Sequence, residues 1–162
     1  MELTHTKLVE IAKRWLLNTT RCKVVFTEFA TNKGEIPDAI GWRRDGRHSI
    51  LIECKAQRGD FLSDKRKPHR KTGKGMGQER LYMVPKGLVK TSELPEHWGL
   101  LEVDKAGRVH VTQRLRCRFK TRVAEAELPY LFKALQYYQL DTRIGQTNPQ
   151  TLKEKAHDKE QQ

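Results

Sequence analysis

The sequence predicts an α/β protein in which helices pack around a mixed central sheet. A helical pattern at residues 4–17 is followed by β-forming segments at 22–30 and on either side of a turn. A second helical segment at 56–67 and a strand at 81–84 complete the order helix, three strands, helix, strand. Apolar residues fill both faces of the run 49–52, which is typical of a central strand buried on both sides. A hairpin and a C-terminal helix are added to this core.

The first element is an amphipathic helix over residues 4–17. Thr4 or Thr6 can serve as its N-cap. Its apolar side chains recur at the 3.6-residue period and form one face: Leu8, Ile11, Ala12, Trp15 and Leu16. Glu10 lies opposite that face, in register with Arg14. This helical phase favours a solvated salt bridge over a role in a site.

The next two strands form a hairpin that brings two carboxylates together. Asp45-Gly46 is a strong signal for a two-residue turn, because both residues tolerate positive φ. If these two residues form the loop, Asp38 lies directly opposite Glu53. Facing residues have Cβ atoms about 4.5–5.5 Å apart, where like charges repel. Lys55 projects from the same face, two residues beyond Glu53.

Two carboxylates beside an amine on an apolar hairpin indicate a divalent cation. A cation between Asp38 and Glu53 would turn repulsion into coordination, and Mg²⁺ prefers oxygen ligands. The backbone carbonyl of Cys54 could add a third ligand. Lys55 would orient a metal-bound water, or take its proton if burial and the metal lower the pKa of the amine. The alternative is a Glu53–Lys55 salt bridge on a solvated face, with Asp38 in a turn before the strand.

At these residues the sequence resembles a known family. Pro37-Asp38, then fourteen residues, then Glu53-Cys54-Lys55 resembles the motif of the PD-(D/E)xK nuclease superfamily. The likeness covers about residues 5–90, and the run 34–64 is similar to small phage and bacterial members. It implies a restriction-endonuclease-like αβββαβ core. It also implies that Asp38 and Glu53 bind Mg²⁺, for which Mn²⁺ substitutes, while Lys55 assists attack of water on a phosphodiester.

The resemblance makes a Mg²⁺-dependent endonuclease acting on DNA the leading hypothesis, with RNA open as the alternative polynucleotide. The second hypothesis is a non-catalytic nucleic-acid-binding module on the same scaffold. The intact set of Asp38, Glu53 and Lys55 favours the enzyme, because a decayed site would lose at least one member. Many members of the superfamily act as dimers, so a homodimer is a further expectation.

Composition favours a nucleic-acid partner over a membrane. The 162 residues carry a formal net charge of +12 and the sequence pI is about 9.8, which implies an acidic partner. No apolar run approaches the ~18–20 residues of a spanning helix, and the first residues lack the pattern of a signal peptide. We therefore expect a cytoplasmic protein. Three cysteines without paired spacing argue against a disulfide framework and a structural zinc site.

Two basic segments are candidate nucleic-acid contacts. The first follows the hairpin and contains Lys65, Arg66, Lys67, Arg70, Lys71 and Lys74 in a glycine-rich region. The second alternates along an extended segment and contains Arg114, Arg116 and Arg118. We predict that both contact phosphates. The alternatives are a solvated basic face for the first and protection against edge-to-edge pairing for the second.

The sequence also leads to predictions for two acidic residues, Glu28 and Glu35, and for the pair Gln78 and Tyr82. Glu28 and Glu35 are read as surface residues, with contact to a metal-bound water or a basic side chain as the alternative. Gln78 and Tyr82 resemble a Gln-x-x-x-Tyr signature of some superfamily members. The pattern around Tyr82 favours a strand, which places its ring in the core.

The C-terminal part of the chain completes the predicted domain. Residues 98–103 and 108–112 form a hairpin, and residues 124–140 form a helix whose apolar stripe contains Leu131, Phe132, Leu135 and Tyr138. Residues 1–140 are the predicted nuclease-like domain. Residues 141–162 are polar and are expected to form a flexible tail.

Overall fold

The structure is a computed structural model that describes residues 2–29, 35–44, 46–70, 75–116, 119 and 124–137. The chain divides into two compact units, residues 1–130 and 131–162. The first unit contains the sheet, and the described part of the second is the end of the last helix. The expected boundary at residue 140 and the expected tail lie outside the described residues.

The described strands form one six-stranded mixed sheet in the order β1 to β6. Strands β1 to β3 are antiparallel neighbours, β3, β4 and β5 run parallel, and β6 returns antiparallel to β5. The strands are β1 (Val24–Thr27), β2 (Ala39–Trp42), β3 (Ser49–Cys54), β4 (Glu79–Pro85), β5 (Gly99–Val103) and β6 (Val109–Gln113). The predicted α/β class with a mixed central sheet is confirmed.

Three helices accompany the sheet, and the predicted order of elements is present. They are α1 (His5–Asn18), α2 (Arg58–Asp64) and α3 (Ala124–Tyr137), with 3₁₀ turns at Pro68–Arg70 and Thr91–Glu93. Thr4 is the N-cap of α1, since its side chain accepts a hydrogen bond from the Lys7 amide at 3.3 Å. Helix α2 is shorter than expected. Glu10 is exposed and pairs with Lys7 at 2.8 Å instead of Arg14.

The apolar core lies between α1 and the sheet. The face of α1 predicted to be apolar is buried, and it packs on Ile50, Ile52, Leu81 and Met83 of the two central strands. Every residue of β3 is buried, as is every residue of β4 before Pro85. The pattern fits central strands covered on both faces. A polar side chain at the end of β3 therefore leaves water when the protein folds.

The β2–β3 hairpin has the expected register but a longer loop. Ala39 pairs with Ile52 and Trp42 with Ser49, so the same register extended by one residue sets Asp38 opposite Glu53. The two-residue loop is wrong, because the strands end at Trp42 and begin again at Ser49. The register is as predicted because both strands end the same number of residues away from the expected turn.

Helix α3 contacts the sheet through one polar and one aromatic side chain. Glu127 is buried and accepts hydrogen bonds from Trp42 Nε1 at 2.8 Å, Ser49 Oγ at 2.9 Å and the Gly77 amide at 2.9 Å. Tyr130 packs against aromatic rings of β1 and β2. Phe132, expected in the apolar stripe, is 63% exposed; the Leu135 side chain and Tyr138 are outside the described residues.

Within the described part of the chain, no helix combines the length and the apolar character needed to cross a membrane. Cys22 and Cys54 are buried free thiols, and Cys117 lies outside the described residues.

Candidate active site

The predicted convergence of Asp38, Glu53 and Lys55 is present at one end of the β2–β3 hairpin. Lys55 Nζ donates to Asp38 Oδ2 at 3.0 Å and to Glu53 Oε2 at 2.9 Å. The Cys54 amide also donates to Asp38 Oδ2, at 2.7 Å. The side chains of Asp38, Glu53 and Lys55 are only 15%, 2% and 11% exposed. The alternative is confirmed in its Glu53–Lys55 salt bridge and in the place of Asp38 just before β2. It is wrong about the solvated face, because the paired groups are largely removed from water.

Glu53 is the most deeply buried acid of this cluster. Its Oε2 receives both Lys55 Nζ and Arg70 Nη2, the latter at 2.8 Å. Its Oε1 is buried without a hydrogen-bond partner among the described residues. Burial, with repulsion from Asp38 and Asp64, raises the pKa of Glu53 to about 8 against the attraction of the two cations. The carboxyl therefore carries a proton in most molecules near neutral pH.

Lys55 remains a charged ammonium in this arrangement. Burial alone would lower its pKa, but the carboxylates of Glu53, Asp38 and Asp64 outweigh burial and raise the pKa. The fall in pKa that would make Lys55 a base does not occur here. The geometry suits a group that donates hydrogen bonds and orients its neighbours.

Arg70 belongs to the site and not to the nucleic-acid surface. Its side chain is 2% exposed, so the prediction that it contacts phosphates is wrong. Its Nε and Nη2 donate to the two Asp64 oxygens at 2.7 and 2.9 Å, and Nη1 donates to Glu35 Oε1 at 3.1 Å. With the contact to Glu53, one guanidinium joins three acids from separate parts of the chain, and this satisfies a charge that would be costly to bury alone.

Asp64 is a site residue that the sequence analysis missed. It accepts hydrogen bonds from Arg70 and from the Tyr82 hydroxyl at 2.9 Å. Its Oδ1 lies 3.7 Å from Lys55 Nζ and 2.8 Å from Lys67 Nζ. Burial would raise the pKa of Asp64, but the hydrogen bonds and charges of its basic neighbours hold it well below its usual value. Tyr82 is buried in β4 as predicted, and its bond to Asp64 connects the core to the site.

Glu35 and His5 complete the surroundings. Glu35 is buried, which corrects its reading as a surface residue, and its Oε2 accepts a hydrogen bond from the Met76 amide at 2.8 Å. His5 has Nδ1 3.2 Å from the Cys54 carbonyl oxygen and Nε2 3.0 Å from Glu28 Oε1. The sequence could have pointed to His5 only through its place at the start of α1, since an isolated histidine carries no spacing signal.

The donor set fits a cation in part. Among the described residues, no group of three or more His, Cys, Asp or Glu side chains is arranged to hold a metal ion. The unpartnered Oε1 of buried Glu53 favours a cation. The Cys54 carbonyl, predicted as a third ligand, is the oxygen near His5. Two acidic side chains and a backbone carbonyl therefore remain the fitting ligands.

The other predicted nucleic-acid contacts have mixed outcomes. Arg66 and Arg116 are exposed, and Lys67 is 52% exposed but pairs with Asp64. Lys65 is half-buried, with Nζ 5.5 Å from the centre of the Phe61 ring. Lys71, Lys74 and Arg118 lie outside the described residues.

Arg114 does not form part of an alternating basic edge. It pairs with the buried carboxylate of Glu79, and its guanidinium lies 5.1 Å from the centre of the Trp15 ring. Strand β6 ends at Gln113, so the expected extended conformation does not include Arg114. This prediction is wrong because the partners of Arg114 are distant in sequence and give no local signal.

Comparison with known proteins establishes a likeness of fold alone. No protein-family model matches the chain, and no curated protein matches it. A solved structure from Silicibacter pomeroyi, described as SPO1766 protein of unknown function, is similar with a TM-score of 0.56 and 19% sequence identity. The match covers 91% of this chain and 100% of that one. At this identity the likeness supports the α/β fold and says nothing about chemistry.

Replacing Arg70 by alanine should destabilise the protein strongly. It would leave the carboxyl groups of Glu35, Glu53 and Asp64 buried without their shared cation. We expect the free energy of unfolding to fall by about 3–5 kcal/mol, measured by urea denaturation. Arg66→Ala removes the same charge from an exposed neighbour and should change stability by less than about 0.5 kcal/mol. Equal effects of the two substitutions would contradict the arrangement.

Without divalent cations, the raised pKa of Glu53 should weaken the fold as the pH rises. The folded state keeps this proton up to about pH 8, whereas an unfolded chain releases it near pH 4.3. The contribution is fully present below the unfolded pKa and is lost as the pH rises through the folded pKa.

We therefore expect the stability of the wild type, relative to Glu53→Gln, to fall by a few kcal/mol between about pH 5 and about pH 8. Urea denaturation in EDTA at each pH measures the difference. If the two proteins show one common pH dependence, the folded environment does not shift the titration of Glu53.

Proposed function

We propose that the protein is a Mg²⁺-dependent nuclease of the PD-(D/E)xK superfamily that hydrolyses phosphodiester bonds in DNA, acting as an endonuclease. The observation that carries this proposal is the convergence of Asp38, Glu53 and Lys55 within hydrogen-bond distance at one end of a buried hairpin. These residues match the superfamily motif at its catalytic positions. The unpartnered Oε1 of Glu53 adds support, because a buried carboxylate oxygen without a partner is costly.

Each residue of the site has a distinct part in the proposed reaction. Asp38 and Glu53 would hold Mg²⁺, with the Cys54 carbonyl as a further ligand. The ion supplies Lewis-acid polarisation of the scissile phosphate and lowers the pKa of the attacking water. Glu53, whose pKa is raised to about 8 by burial, would have to give up its proton to hold the ion. Lys55 donates hydrogen bonds that orient water and phosphate oxygens.

The surrounding residues fix the two carboxylates. Arg70 and Lys55 both bind Glu53 Oε2, so that Oε1 is the oxygen left for a cation. The Cys54 amide and Lys55 both bind Asp38 Oδ2, so Oδ1, which lies 3.8 Å from His5 Nε2, would be the oxygen for the same purpose. One oxygen of each acid is thus engaged and the other is presented, an arrangement that lowers the cost of ordering the site.

The charge of the chain supports a polyanionic substrate. A net charge of +12 attracts a phosphate backbone over a long range. Exposed Arg66 and Arg116 are available to contact it. A cytoplasmic location, a homodimer and Mn²⁺ as a substitute for Mg²⁺ belong to the same proposal, and RNA is the alternative polynucleotide.

The second candidate is a non-catalytic nucleic-acid-binding module. The observation that favours it is the Lys55 ammonium, which already neutralises part of the charge of Asp38 and Glu53. Such a module would bind nucleic acid with a salt dependence that metal ions leave unchanged. The orphaned Glu53 oxygen makes the enzyme the better-supported candidate.

Purified protein should convert supercoiled plasmid DNA to nicked and linear forms in Mg²⁺ or Mn²⁺. Asp38→Asn, Glu53→Gln and Lys55→Ala should each lower the rate by at least about 100-fold, because each removes a metal ligand or the group that positions water. Gel electrophoresis of time courses measures the rates, and circular dichroism checks that each variant is folded.

Glu10→Gln is the matched control, since it makes the same chemical change at an exposed glutamate that pairs only with Lys7 among the described residues. Its rate should equal that of the wild type. Inactivity of the wild type with both metals on plasmid and single-stranded DNA would defeat the proposal, as would variants of Asp38, Glu53 and Lys55 that cut at the wild-type rate.

A further inference from the structure

A second basic feature lies at the other end of the sheet from the candidate active site. It is a concavity of about 490 Å³, called the basic pocket here, between the end of α1, the entry to β1 and the exit of β2. None of its described lining residues is acidic. Its lining residues are Thr19, Thr20, Arg21, Lys23, Arg43 and Arg44.

The pocket is separated from the site by the length of β2. Asp38 immediately precedes this strand and Arg43 immediately follows it. Five residues at about 3.3 Å each place the pocket about 17 Å from Asp38. The two features therefore do not share ligands, and the pocket requires an explanation of its own.

The four cationic side chains of the pocket have no acidic partner among the described residues. The ion pairs of the described residues are formed elsewhere, as in the clusters around Asp64 and Asp104. Arg43 Nε is buried and has no hydrogen-bond partner there. Leaving a buried donor unpaired costs about 1–3 kcal/mol, and the mutual repulsion of neighbouring cations adds to that cost. An anionic ligand would relieve both.

The wall of the pocket is fixed before any ligand binds. Arg21 has a φ of 58°, in the left-handed region that is unfavourable for a residue with a bulky side chain. Hydrogen bonds on either side hold the segment in place, from the Cys22 amide to the Leu16 carbonyl at 3.0 Å and from the Lys23 amide to the Trp42 carbonyl at 2.7 Å. Strain that is held by its surroundings is typical of binding sites.

A second concavity in the same protein combines basic residues with an acidic partner. It has a volume of about 560 Å³, and Lys86, Lys105 and Arg108 contribute its positive charge. Asp104 lies in the same lining and pairs with Arg108 Nε at 2.8 Å. The basic pocket has a similar size and more positive charge, but no such acid is among its described lining residues. The difference points to an anion supplied from outside.

We propose that the basic pocket binds phosphate groups of a nucleic-acid backbone, as a contact separate from the candidate active site. Arginine suits this ligand because its planar group binds phosphate oxygens in pairs. The distance between the pocket and Asp38 has a further consequence, which rests on the proposed function. A nucleic-acid strand running from Asp38 to the pocket would place the phosphate bound there about five nucleotides from the scissile phosphate, at about 3.4 Å per nucleotide.

The test measures binding of the full chain to a fluorescent 20-base-pair DNA duplex in EDTA. The variant Lys23→Gln/Arg44→Gln removes two exposed charges of the pocket. We expect it to bind about tenfold or more weakly at 0.1 M salt, with a slope of log affinity against log salt that is smaller by about 1.8. Lys86→Gln/Lys105→Gln removes the same charge from the second concavity and should stay within about twofold of the wild type.

Two results would overturn the proposal. Equal losses in the two double variants would show that only total charge matters. A pocket variant that binds the duplex like the wild type, but loses binding of inorganic phosphate in calorimetry, would assign the pocket to free phosphate instead. Because EDTA prevents metal-dependent cleavage, these results bear on the pocket alone, and a failure of the plasmid assay would leave them standing.

Discussion

The candidate active site depends on one buried carboxyl group, that of Glu53. It stands at the end of a strand whose residues are all buried, so folding takes it out of water together with the apolar core. An ionised carboxylate there needs compensation. Lys55 and Arg70 supply it on one oxygen, while the other oxygen has no partner among the described residues. Asp38 and Asp64 both face Lys55, and Asp64 also pairs with Arg70.

This cluster and the core have different physical roles. The core of α1 against the sheet gains from burial of apolar surface and would form without any charged group. A buried ionic network gives little net stability, since desolvation offsets the attraction between charges. The cluster is therefore best understood as a cost that the core offsets. In return the protein presents two carboxylates in a fixed geometry at the end of the hairpin.

Local patterns were enough to predict the hairpin but not the residues packed around it. The Asp45-Gly46 turn signal between two apolar segments predicted the register of Asp38 and Glu53, even though the loop proved longer. Arg70 looked like one member of a solvated basic run. Its burial depends on Glu35, Glu53 and Asp64, which meet only in the folded chain, and no spacing rule reports such long-range contacts.

Sequence patterns also did not show which basic residues are available to a ligand. A count of positive charges along the sequence selected segments around residues 65–74 and 114–118, where Arg70 and Arg114 prove to be paired with buried acids. Four cations without an acidic partner among the described residues come from separate segments of the chain to line the basic pocket. Sequence therefore predicted that the protein is basic, whereas only the fold shows which charges are available to a ligand.

We propose that Asp38 and Glu53 bind a divalent cation through carboxylate oxygens. A crystal soaked in Mn²⁺ and measured for anomalous scattering would detect such an ion. We expect one strong peak about 2–2.5 Å from Glu53 Oε1 and from an oxygen of Asp38. A well-ordered site without such a peak at saturating Mn²⁺, with Lys55 still bridging the two carboxylates, would contradict it.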